Sequence, residues 1–180
     1  MRGTIKGYRT ALKNMETDAL HAMLTGNNDA YAASFDSKGV PGQAGTTLLL
    51  LTCMDSRIVP HEALGLDVGD VKVIRNAGGQ VNPEVLNDIV LASHLLNCQN
   101  IVIMPHTRCA MASLSLGEVR AKLSDLSGMD FADFSPRMIE DAHAKLAADV
   151  STVKAHPLLK PGVNVRGAVY DVDTGRIMWH

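Results

Sequence analysis

The sequence has few aromatic residues: Phe, Tyr and Trp make up only 4% of its 180 positions. Its core must therefore rest on Leu, Val, Ile, Ala and Met. Net charge is also small, at -2. That argues against a nucleic-acid or membrane-surface role. Cysteine is scarce: Cys53, Cys98 and Cys109 are the only three. An odd, small number does not make a disulfide framework and points to a reducing compartment, here read as the cytoplasm. No apolar run approaches the roughly 18 residues a membrane span needs. "TTLLLLTC" is too short even for a signal-peptide core and lies far from the N-terminus. There is no G-x-G-x-x-G and no P-loop, so a nucleotide-binding α/β domain finds no support. Internal repeats, linkers and low-complexity segments are absent, which makes 1–180 one domain.

What is present is an ordinary globular composition, 46% hydrophobic and 20% charged. Residues 1–15 carry Arg2, Lys6, Arg9 and Lys13 and no acid, with Ile5, Tyr8, Leu12 and Met15 at helical spacing. This reads as a helical arm, with an organelle presequence as the alternative. Helical spacing continues over 14–25, with Gly26 as a stop. Residues 34–46 are a Gly/Pro/Ser loop. Thr47 to Thr52 is a continuous apolar run, as expected of a strand covered on both faces. "PHEALGLDVGD" is a turn-rich connection to a second strand, "VKVIRN" (71–76). A helix starts at Pro83 and places Val85, Ile89, Ala92, Leu95 and Leu96 on one face. "NIVIMP" (100–105) is a third buried strand. Helices are expected at about 117–126 and at 136–154, the second from a Ser135-Pro136 cap. Residues 163–179 alternate like a hairpin around "DTG". Alternating strands and helices predict an α/β fold, a mainly parallel central sheet flanked by helices.

In open parallel sheets, ligands collect beyond the carboxyl ends of the strands. Two of the apolar strands end in metal-competent groups, "TCMDSR" and "MPHTRC". If those strands are neighbours, Cys53, His106 and Cys109 converge. Two thiolates and an imidazole suit Zn²⁺, and three protein ligands leave a fourth tetrahedral position, as catalytic zinc sites do. Cys98, at the end of an apolar helix, reads instead as a small buried hydrophobe. Asp55 beside two thiolates needs a counter-charge, which Arg57 supplies in bidentate form. Asp55 could close the zinc site as a fourth ligand, or turn to Arg57 and leave the metal to a water.

"CMDSR" (53–57), "VIRNAGG" (73–79) and "HTRC" (106–109) together resemble the β-class carbonic anhydrases. The ending "VRGAVYDVDTGRI" resembles their short subgroup, which also includes carbonyl sulfide hydrolases. The resemblance covers roughly 45–178. It implies one zinc per chain on Cys53, His106 and Cys109, with Asp55 and Arg57 as the gating and orienting pair. It implies that Gly78 and Gly79 form a glycine turn lining the substrate pocket. It also implies a homo-oligomer, dimer or tetramer, whose N-terminal arm (1–33) lies over a partner subunit. Pro105 and Ala110 stand where the family commonly has glycine. Alanine does not adopt positive φ freely, so Ala110 is expected to reshape the turn or the pocket floor.

The chemistry expected is hydration of CO₂ to bicarbonate by a hydroxide held on zinc. Thiolate ligands donate more charge than imidazoles do, so activity should favour somewhat alkaline pH. His61 and His94 are candidate proton shuttles, each more readily read as structural. The competing reaction at the same metal is hydrolysis of carbonyl sulfide to H₂S and CO₂. The reading from another class is a non-catalytic zinc-stabilised or thiol-sensing module, closed by Asp55.

Overall fold

A computed structural model describes residues 15–180. The basic stretch read as an arm or presequence lies, for residues 1–14, outside them. The described residues divide at Gly39 and Val40 into two compact units.

The first unit contains helix α1, Thr17–Ala33. The expected stop at Gly26 does not occur. An interior glycine costs about 1 kcal/mol relative to alanine, which weakens a helix without ending it. No residue of α1 is buried, and Leu20, Leu24, Tyr31 and Phe35 just beyond it are exposed.

The second unit holds a five-stranded sheet in the order β2-β1-β3-β4-β5. Its strands are β1 (Leu48–Cys53), β2 (Val71–Asn76), β3 (Asn100–Met104), β4 (Asn164–Tyr170) and β5 (Ile177–Trp179). The first four run parallel and β5 returns antiparallel, the hairpin expected at the C-terminal end. The apolar "LLLLTC" takes the position between β2 and β3, where every residue after Leu48 is buried.

Helix α3 (Pro83–Leu95) begins at an Asn82 cap, whose side chain accepts from Val85 N–H. It turns Val85, Ile89 and Ala92 inward. Leu95 and Leu96, both expected on that face, are exposed at the helix end, where Leu95 is the last residue and Leu96 the C-cap. Helix α6 (Ala142–Lys154) adds Leu146 and Val153 to the same layer, against Leu49, Leu51, Ile101, Ile103 and Val165. Cys98 is fully buried in this layer, as expected of a small hydrophobe, and burial pushes its thiol up. The opposite face of the sheet centres on Leu50, Val71, Met104 and Ala168.

Three boundaries differ from expectation. The connection after β1 contains a short helix, α2 (Pro60–Leu64), closed by Gly65 in the left-handed region. A four-residue helix, α4 (Ala110–Ser113), follows Cys109, and α5 spans Leu116–Ser127 behind a Ser115/Glu118 capping box. The helix expected from Pro136 starts only at Ala142. Asp141 is its cap, accepting from His143 and Ala144 N–H. Residues 136–140 are otherwise engaged: Ile139 N–H donates to the Met111 carbonyl at 2.8 Å, and the Arg137 carbonyl accepts from Gln80.

Candidate metal centre

The parallel register pairs Thr52 with Met104. Cys53 therefore leaves β1 level with Pro105, and His106 follows one residue later. Thr52 locks this alignment, its buried hydroxyl donating to the Met104 carbonyl at 2.6 Å. The chain then makes a tight turn. Arg108 sits at φ +54°, and Cys109 becomes the N-cap of α4. The left-handed conformation falls on Arg108, so Ala110 is an ordinary first residue of a helix. It is solvent-exposed, and its side chain needs no glycine-like backbone.

The sulfurs of Cys53 and Cys109 and a ring nitrogen of His106 lie within 4.8 Å of one another, all three residues buried. The imidazole is set up as a donor. Its Nδ1 is 2.8 Å from the Thr107 carbonyl oxygen, which can only accept, so Nδ1 carries the proton. The lone pair is then on Nε2, which is buried and has no hydrogen-bond partner. Burial, the main cause, lowers the His106 pKa and favours the neutral, metal-binding form. Burial, and the adjacent Cys53, push the Cys109 thiol up, with the Met111 amide partly offsetting this. Two thiolates therefore share this pocket only with a cation between them. An orphaned imidazole nitrogen beside two buried thiols fits a soft divalent ion such as zinc.

Asp55 points to the arginine. Its Oδ1 accepts from Arg57 Nε and from Arg57 N–H, each at 2.9 Å, and its Oδ2 accepts from the terminal guanidinium nitrogen at 2.7 Å. This bonding, above all, holds the Asp55 carboxyl well below the usual carboxylate range. The same Oδ2 is 3.8 Å from His106 Nε2, so the carboxylate borders the donor cluster.

The glycines hold the first sulfur in place. Gly78 N–H donates to Cys53 Sγ at 3.4 Å. Gly79, at φ +63°, passes so close to β1 that a Cβ there would lie 2.9 Å from both Cys53 N and Thr52 C. Gly78 thus meets the Cys53 sulfur, and Gly79 the backbone that carries it. His94 does not reach the cluster: its Nε2 is 3.0 Å from the Leu158 carbonyl oxygen. His61 belongs to the last turn of α2.

Sequence reasoning missed five residues around the cluster. Arg75 donates to the carbonyls of Cys53 (2.9 Å) and Asp55 (2.6 Å), clamping the segment that carries both. Its only signal was its place in "VIRNAGG". Ile58 is buried with Cys53 and Cys109, and Met111 and Tyr170 pack against that group. Gln80, next to the glycine turn, is buried in a set of main-chain bonds.

Comparison with known proteins gives a consistent result. The family model described as "Carbonic anhydrase" matches residues 48–152. A β-carbonic anhydrase 1 from Mycobacterium tuberculosis is 28% identical, over 84% of this chain and 91% of its own length. A carbon disulfide hydrolase from Acidithiobacillus thiooxidans is 29% identical over 82% of each. A solved carbonic anhydrase structure from Streptococcus mutans superposes with a TM-score of 0.80 at 29% identity, over 92% of this chain and 99% of the other. With the family model over more than half its length and the same arrangement of strands and helices in a solved relative, this chain belongs to the β-carbonic anhydrases, a family of zinc enzymes.

Proposed function

We propose that the chain hydrates CO₂ to bicarbonate and a proton, with one zinc per chain held by Cys53, His106 and Cys109. The observation that carries this reading is the buried, unpartnered Nε2 of His106 beside two buried thiols. When bound, zinc supplies Lewis acidity and a water acidified toward neutral pH.

The protein's own groups do the rest. Ile58, Met111 and Tyr170 give the cluster an apolar wall that suits a small linear molecule. Asp55, ionised and acceptor-only, takes a hydrogen bond from the attacking water and turns its lone pair toward the carbon. Arg57 fixes that carboxylate by a bidentate grip and keeps it charged. Because Asp55 is held below the usual range, it does not keep the proton at neutral pH. The proton passes to solvent, which both side chains border at 21% and 37% exposure. The engagement of both Asp55 oxygens by Arg57 speaks against a site closed by aspartate, and so against a purely structural metal module.

The alternative is hydrolysis of a sulfur analogue, carbonyl sulfide to H₂S and CO₂. The carbon disulfide hydrolase relative is as similar in sequence as the carbonic anhydrase, and the apolar wall with Met111 accepts a sulfur-bearing substrate. Steady-state rates on CO₂, carbonyl sulfide and carbon disulfide decide between them. The first reading expects the highest kcat/KM for CO₂, and a higher value for either sulfur compound replaces it with the second.

We further infer a homodimer or homotetramer. The support is α1, a 17-residue helix with no buried residue and with Leu20 and Leu24 exposed. We place the protein in the cytoplasm, because thiol donors need reducing surroundings. Cell fractionation that finds it in an organelle or outside the cell overturns this.

A further inference from the structure

We propose that Gln80 is a positioning residue of the metal centre, tying the turn that faces Cys53 to the segment that braces Cys109. This rests on the assignment of Cys53, His106 and Cys109 as the metal donors.

Gln80 is 4% exposed. Asn76 grips its main chain on both sides: Asn76 Nδ2 donates to the Gln80 carbonyl at 2.7 Å, and Gln80 N–H donates to Asn76 Oδ1 at 2.8 Å. Its own Nε2 donates to the Ala77 carbonyl at 3.1 Å and the Arg137 carbonyl at 2.9 Å. Two carbonyls can only accept, so the amide orientation is fixed. Its Oε1 is left buried without a partner. An orphaned buried acceptor is destabilising. For core packing alone Gln80 is a poor residue; what it enforces lies at the metal centre.

One link runs to Cys53. The Ala77 and Asn76 bonds close the loop 76–80 on itself and aim Gly78 N–H at the sulfur. A donor to a thiolate fixes its orientation and spreads its charge, and so tunes the metal bond. The other link runs to Cys109. Two residues beyond the Arg137 carbonyl, Ile139 N–H donates to Met111 within α4, the helix that Cys109 caps. The buried Ile139 side chain also lies against Gly78, where an added Cβ would meet its Cδ1 at 3.0 Å. One side-chain amide thus joins the supports of both sulfur donors. Gln80's hydrogen bonds go to Asn76, Ala77 and Arg137 and not to the donor atoms, so its effect is on their placement.

The test uses the zinc-loaded protein and its cobalt(II)-substituted form. Gln80→Met keeps the chain length and removes both donors; Gln80→Glu keeps the shape and turns donors into acceptors. Zinc release to excess chelator and the thiolate-to-cobalt charge-transfer band are recorded for each. Release is expected to be about 10-fold faster in both variants, the lower end for outer partners of a metal site, and the band is expected to shift. Val153→Ala, a cavity in the α6 layer with a comparable loss of Tm, should keep the parental rate and band. Parental release and band in both Gln80 variants overturn the proposal, as does a Val153→Ala control that matches them. If neither Gln80 variant folds, amide exchange in the parent decides: Gln80 side-chain protons exchanging as fast as a free amide overturn it, and protected ones support it. A parent that holds no zinc and shows no cobalt band overturns the donor assignment beneath, which is a separate failure.

Discussion

Cys53 ends a buried strand and Cys109 caps a short helix, with their sulfurs and one imidazole nitrogen in a single buried cluster, and the thiols' other polar contacts are to each other and to a few backbone amides. Cys53→Ser or Cys109→Ser should therefore lose zinc and activity together, with CO₂ hydration down about 100-fold or more. Either variant binding zinc as the parent does would refute the assignment. Asp55→Ala should keep most of the zinc and still lose about 100-fold in rate, because only the orientation of water is removed. Gly79→Ala should destabilise by about 1–3 kcal/mol in a denaturant titration, since its methyl meets the backbone of Thr52 and Cys53 and neither can yield. Stability equal to the parent's would show that the turn is free to move. At this scale the convergence of Cys53, His106 and Cys109 was legible, because two neighbouring apolar strands each run into a segment with metal-competent groups. Gln80 and Arg75 were not. They act through hydrogen bonds to main-chain carbonyls, and such bonds leave no mark in residue type or spacing. The expectation of strain at Ala110 fails for a related reason: the positive φ of this turn lies on Arg108, which neither residue type nor spacing shows.

Among the elements, the strands were legible and the helix starts less so. "LLLLTC" and "NIVIM" are short apolar runs that only a covered strand accommodates. The helix after Pro136 was misplaced because proline and serine form a start signal, whereas residues 137–139 are drawn off by Gln80 and Met111. The true cap, Asp141, is held below the usual carboxylate range by the Ala144 and then the His143 amides. A depressed folded-state pKa means that the unfolded chain binds more protons in acid. The cap's contribution is therefore fully present above an ordinary aspartate pKa of about 4. It fades as pH falls through the lower, folded value. The stability gap between the parent and Asp141→Ala, followed by urea titration, should be constant near neutrality and shrink in acid. A gap that grows in acid would contradict the cap. In α1, a Cβ at Gly26 meets nothing within 4 Å. Gly26→Ala should stabilise that helix by about 0.5–1 kcal/mol, read as slower amide exchange across Thr17–Ala33. Faster exchange there would mean that the helix needs the glycine.

At the scale of the whole molecule, alternation of strands and helices sufficed for the α/β class, because parallel strands need crossovers long enough to hold a helix. The continuous apolar run of β1 fits its place inside the sheet, with β2 on one edge and β3 on the other. What alternation could not give is why a helix such as α1 carries apolar residues that, among the described residues, stay exposed. An oligomer answers that, and sedimentation equilibrium should report a dimer or tetramer; a monomer at all concentrations would contradict it. The central claim is that three buried donors make this chain a zinc enzyme acting on CO₂. Stopped-flow CO₂ hydration, recorded while metal-free protein is titrated with zinc, tests it most directly. The rate should rise in proportion to zinc and level off at one ion per chain. A fully loaded protein with no hydration at any pH, or full activity without zinc, would contradict it.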